Sequence, residues 1–98
     1  MSLKDMLECV KNNNLECLKI MMENDDTYLT NKICTRLLVE CLKQKYIKIA
    51  NYIVKYEFDL DSDIFENYLE VNRPFTEKQI NDLNKILNKF YICCLIDS

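Results

Sequence analysis

An all-α fold is expected of a chain with no glycine and a single proline. Hairpin-rich β folds need residues that tolerate positive φ or fix tight turns, and almost none are present. An internal echo points the same way: a shift of 32 residues lays Glu8, Cys9 and Lys11 on Glu40, Cys41 and Lys43, and Leu7 and Val10 on Val39 and Leu42. The 98 residues are 49% hydrophobic, enough to close one small core, so residues 1–98 are read as a single domain.

The echo continues past the identities. Leu15, Leu18, Met21 and Met22 land on Ile47, Ala50, Ile53 and Val54, the i, i+3, i+6, i+7 spacing of one helix face kept in phase. Two copies of a helix, polar loop, helix unit explain this, with first helices over about 3–11 and 34–43. The loops are Asn12-Asn13-Asn14 and Gln44-Lys45-Tyr46. Ser2 with Asp5 forms a weak capping box at the first helix. Helices this short bury an apolar face against a neighbouring unit or do not form, which is the logic of a solenoid.

In residues 62–98 the pattern changes. Ile64, Phe65, Tyr68 and Leu69 share a helix face, with Asp63 and Glu66 spaced as N-cap and partner. Asn72-Arg73-Pro74 breaks this helix, because proline disfavours helix at the residue before it. Thr76 and Gln79 make a better capping box for a closing helix of about 20 residues, along which Ile80, Leu83, Ile86, Leu87, Phe90, Cys94 and Leu95 form a stripe. The expected role of this part is to seal the end of two repeats. The run FYICCLI, residues 90–96, is apolar around the whole helix, so Tyr91, Ile92 and Ile96 are also candidates for dimerisation or partner docking.

The stretches NNNLECLKIMMEN and QKYIKIANYIVKYEFDLD resemble the middle of an ankyrin repeat, where a polar turn precedes a helix reading roughly L-E-x-V-K-x-L-L and a turn ending in A-D-V-N. Phe58, Asp59, Leu60 and Asp61 stand where that closing turn falls, and Cys9 and Cys41 take a small-residue position that a thiol can fill. The T-P-L-H opening and the turn glycines are missing from both copies. Asn13 accepts the left-handed backbone at modest cost, and Lys45, Asp25 and Glu57 do so less readily. The resemblance covers residues 3–61 and implies repeat 1 over about 3–30, repeat 2 over about 34–61 and a helical cap over 62–98. A helical-hairpin array unrelated to ankyrin is the alternative.

Little catalytic chemistry is open to this composition. With no histidine, Ser-His and Cys-His arrangements and every histidine-containing zinc site are excluded, and with no glycine there is no phosphate-cradling loop. Cys9 to Cys17, Cys34 to Cys41 and adjacent Cys93-Cys94 include no C-x2-C knuckle, so no metal or other cofactor is expected. Asp59, Asp61 and Asp63 begin like a calcium loop but lack its central glycine, and turn or N-cap duty suits them better. Cys93-Cys94 reads first as packing, with a redox or modification site as the alternative.

A net charge of -3 with both signs interspersed gives no field to hold a phosphate backbone, and no apolar run approaches a bilayer span. Nucleic acid and membrane are therefore not expected as partners. The chain reads as cytoplasmic, in the host cytosol or nucleus if viral. The six cysteines are then expected reduced, unless a secretory leader has been removed.

The leading expectation is a non-enzymatic protein-protein interaction module that binds another protein through repeat turns and first helices. Ankyrin repeats imply a protein ligand. The degenerate, Lys-, Asn- and Ile-rich copies resemble the ankyrin-like proteins of large DNA viruses of the poxvirus kind, which implies a modulator of a host protein. Tyr28, Tyr46, Tyr56, Phe58 and Asp59, in or beside the turns, are candidate contacts, since loop tyrosines give large contact area at low entropic cost. Each ring also has the option of burying itself locally with its hydroxyl wet. The alternative function is a small self-associating all-α inhibitor from a phage or mobile element, dimeric through the C-terminal helix.

Overall fold

The computed structural model describes residues 3–24 and 29–87. They form six helices, α1 (Leu3–Lys11), α2 (Leu15–Asn24), α3 (Asn31–Gln44), α4 (Ile47–Ile53), α5 (Ser62–Asn72) and α6 (Glu77–Leu87), and no strand. The all-α expectation holds for these residues. Ser2, Asp25, Asp26 and the closing helix beyond Leu87 lie outside the described residues.

The 32-residue echo reappears in the backbone. At the end of α1, the Asn13 N–H donates to the Val10 carbonyl at 2.9 Å and the Asn14 N–H to the Cys9 carbonyl at 2.8 Å. At the end of α3, Lys45 and Tyr46 donate to Leu42 and Cys41 at 3.3 and 2.9 Å, the same pair of bonds 32 residues on. Both are Schellman closures, which need a left-handed residue just past the helix. Asn13 supplies it at φ 54° and Lys45 at φ 64°. Two side chains that carry a Cβ thus occupy glycine's usual place. Lys45→Gly is expected to raise stability by about 0.5–1 kcal/mol, relief of the left-handed penalty less the added freedom of the unfolded chain. Thermal unfolding followed by circular dichroism checks it, and the gain at Asn13→Gly should be smaller because asparagine tolerates this backbone better.

Caps set the other boundaries, and two differ from expectation. Helix α3 starts at Asn31 rather than 34, because the Thr30 hydroxyl accepts from the Ile33 N–H at 3.2 Å. The N-cap of α5 is Asp61 and not Asp63: its carboxylate accepts from the Ile64 N–H at 3.2 Å, which leaves Asp63 in the first turn. The Thr76–Gln79 box forms as expected. Gln79 donates its N–H to the Thr76 hydroxyl at 3.2 Å, and Thr76 donates its own to the Gln79 side-chain oxygen at 2.8 Å.

Helices α1 and α2 pack as one pair and α3 and α4 as another, while α1 lies on α3 and α3 on α5. Helix α3 is therefore central, and seven of its residues are buried. One core runs through all six helices, with Met6, Leu18, Met22, Leu37, Leu38, Ile49, Ile53, Phe65, Leu69 and Leu87 almost fully enclosed. On α5 the expected face holds: Phe65, Tyr68 and Leu69 are buried and Ile64 half-buried. Of the closing stripe, Leu83, Ile86 and Leu87 are buried and Ile80 half-buried.

Candidate functional site

The largest concavity that these helices leave is a groove of about 490 Å³ between α3 and α5, with Leu7 of α1 at its edge. Residues Lys32, Arg36, Val39 and Lys43 of α3 form one wall, stepping by four, three and four positions and so staying on one helix face. The opposite wall is Ile64, Asn67, Tyr68 and Val71 of α5. The two helices run in the same sense. The chain before α5 is bonded to the first turns of α3, and Lys43 and Asn72 meet at the other end of the groove.

That bonding fixes the groove's near end. The Thr35 side chain, fully buried, donates its hydroxyl to the Asn31 carbonyl at 2.7 Å and accepts the Asp61 N–H at 2.9 Å. Beside it the Asn31 side-chain oxygen accepts the Asp59 N–H at 3.0 Å. Asp61 caps α5 with its carboxylate while its own N–H rests on Thr35, so a single residue joins two helices.

Charge in the groove is arranged and not uniform. Among the described residues none forms an ion pair with Lys32, Arg36 or Lys43, whereas Glu40 accepts a hydrogen bond from the Gln44 amide at 2.9 Å and Asp61 is engaged as a cap. Three cations along α3 thus face an α5 wall on which Val71 is 71% exposed. Alternating charge beside apolar footholds suits a polypeptide segment better than a phosphate backbone, which would meet Glu40, Asp61 and Asp63 as repulsion. From Lys32 to Lys43 the wall is about 16 Å long, roughly three turns of a bound helix.

The sequence-predicted contacts fall elsewhere. Tyr46 occupies the position before α4, and Tyr46, Tyr56 and Phe58 are half-buried against the core. The Tyr56 hydroxyl lies 2.9 Å from that of Tyr52, and the two rings meet edge to face at 5.6 Å. Lys19 sits 5.6 Å from the Tyr52 ring centre, which ties α2 to α4 on this outer side. Burial, and then the hydrogen bond with Tyr56, pushes the Tyr52 hydroxyl pKa above the ordinary tyrosine value. Asp59 is exposed, with its N–H engaged by Asn31. Tyr28, Tyr91, Ile92 and Ile96 lie outside the described residues.

Reading the sequence alone misses Lys32, Arg36, Val39, Lys43 and Val71. The shared helix face of the first four was the available signal, but its significance depends on α5 lying alongside. Among the described residues no group of three or more His, Cys, Asp or Glu side chains is placed to hold a metal ion, and no helix is long and apolar enough to cross a membrane.

Fold and groove together define a small all-helical chain with a repeated helix-turn-helix backbone and an open, mixed-charge trough along its first helices. No family model, curated protein or solved structure matches the chain.

Proposed function

We propose that this chain is a non-enzymatic protein-interaction module of ankyrin-like helical repeats that receives a polypeptide segment of another protein in the α3–α5 groove. The observation that carries the reading is the wall Lys32, Arg36, Val39 and Lys43, three cations without ion-pair partners among the described residues, set opposite exposed Val71. The doubled Schellman closure 32 residues apart supports the repeat part of the reading. The resemblance of residues 3–61 to viral ankyrin-like proteins supplies the rest, a modulator of a host protein working in the host cytosol or nucleus.

Affinity capture from host-cell lysate, with wild type and two variants verified as folded by circular dichroism, tests it. Arg36→Glu/Val71→Asp alters exposed groove residues, and Tyr56→Ala/Phe58→Ala alters the turn before α5. A specific host protein should be retained by wild type and weakened at least about tenfold by the groove variant, equivalent to about 1.4 kcal/mol. Loss confined to the turn variant would move the site to the repeat turns, and a partner retained equally by all three would remove both surfaces from consideration.

A further inference from the structure

Cys9 on α1 and Cys17 on α2 bring their sulfurs to 2.8 Å, and the Met21 sulfur lies 3.4 Å from that of Cys9. Both cysteines are free thiols. Cys9 is buried beside the Schellman turn, and its thiol is pushed up to about 11 by burial first and by Cys17 second. Cys17 is only half-buried, so of the two it is the one a dissolved reagent reaches.

The second repeat provides an internal comparison. Adding 32 to Cys9, Cys17 and Met21 gives Cys41, Ile49 and Ile53, all buried. Aliphatic side chains fill the later two positions there, and Cys41 packs without a second thiol. The repeat therefore does not need sulfur at positions 17 and 21 in order to close. What the first copy has and the second lacks is a pair of thiols in contact across the α1–α2 hairpin.

We propose that Cys9 and Cys17 form a reversible oxidation site, converted by hydroperoxides into a disulfide that locks α1 to α2. The Cys17 thiolate attacks the near oxygen of hydrogen peroxide; the O–O bond breaks, hydroxide leaves and takes up a proton as water, and Cys17 becomes a sulfenic acid. The Cys9 sulfur then attacks the Cys17 sulfur, the S–O bond breaks, and the departing hydroxide combines with the Cys9 proton as a second water. Two thiols and one peroxide give one disulfide and two waters, with each sulfur oxidised by one electron and each peroxide oxygen reduced by one. The reaction needs no rearrangement of the hairpin, because the sulfurs already touch.

The test is peroxide treatment of the folded wild-type chain, alkylation, then tryptic peptide mapping without reductant. Cleavage after Lys4, Lys11 and Lys19 puts Cys9 in peptide 5–11 and Cys17 in peptide 12–19, while Cys34, Cys41 and Cys93-Cys94 each fall in other peptides. The expected result is a linked 5–11/12–19 species, two hydrogens lighter than the separate peptides. It should appear at least about tenfold faster than any link through Cys34 or Cys41, and a dithiol reductant should reverse it. In strong urea the rate advantage should shrink, since the contact belongs to the folded hairpin. Cys17 driven to sulfinic or sulfonic acid without linkage would overturn the proposal. So would a faster link elsewhere, or the same selectivity in urea. A Cys17→Ser chain should form no link to Cys9, and its Cys9 should stay alkylatable after unfolding.

Discussion

Phe65→Ala is expected to destabilise the protein by about 3–5 kcal/mol, the range for truncating an enclosed aromatic ring. Phe65 is the largest of the almost fully buried side chains, and its ring lies 5.8 Å from that of Tyr68, which in turn lies 6.1 Å from Phe75. Removing it opens a void where α5 meets the rest of the core and takes away the first member of that aromatic row. A domain of this size has a total stability of about 5–15 kcal/mol, so the loss consumes a large share of it. Urea denaturation followed by circular dichroism measures the change, with Phe65→Leu as a milder control expected to lose less than half as much. A loss below about 1 kcal/mol for the alanine variant would mean that α5 is not part of the cooperative core.

Thr35→Val is expected to lose about 1–3 kcal/mol although it barely changes volume. The threonine hydroxyl is bonded on both sides, to the Asn31 carbonyl and to the Asp61 N–H. Valine leaves the Asp61 N–H facing a methyl group, and an unpaired buried donor costs more than a hydrogen bond contributes on average. Thr35→Ser keeps the hydroxyl and should retain most of the stability. Hydrogen exchange separates this account from a general loosening: in the valine variant the Asp61 amide should lose protection before the amides of α3 do. Equal protection at Asp61 in both variants would show that the hydroxyl is not its partner.

Much of the fold is legible in the residue pattern because it depends on local periodicity. The apolar faces of α5 and α6, the two polar turns and the Thr76–Gln79 box are all decided within a few residues along the chain. The boundary errors share one cause. Thr30 and Asp61 each win the N-cap from a later candidate because their side-chain oxygens reach a free backbone N–H three residues on, and several nearby Asp, Asn and Thr residues offer the same chemistry on paper. The left-handed residues were legible as positions but not as residue types, since lysine is a poor choice there and packing on both sides of the turn overrides that preference. The groove was the least visible feature. Lysine and arginine at helical spacing usually describe a solvated face, and only α5 alongside turns Lys32, Arg36 and Lys43 into a wall. Likewise the twice-written LEC shows that Cys9 and Cys17 occupy similar local settings, and the folded hairpin adds that their sulfurs meet.

The double grip of Asn31 and Thr35 on the chain before α5 also decides where the trough can yield. At the Lys32–Asp63 end the two helices are stitched together by the Asp59 and Asp61 amides. Between Lys43 and Asn72, at the other end, the described residues show no such stitch, and exposed Val71 stands beside the gap. The α3–α5 pair is therefore built like a clothes-peg, fixed at one end and able to spread at the other. A visiting segment would be gauged in register at the stitched end, and differences in its bulk would be absorbed where the jaws are free.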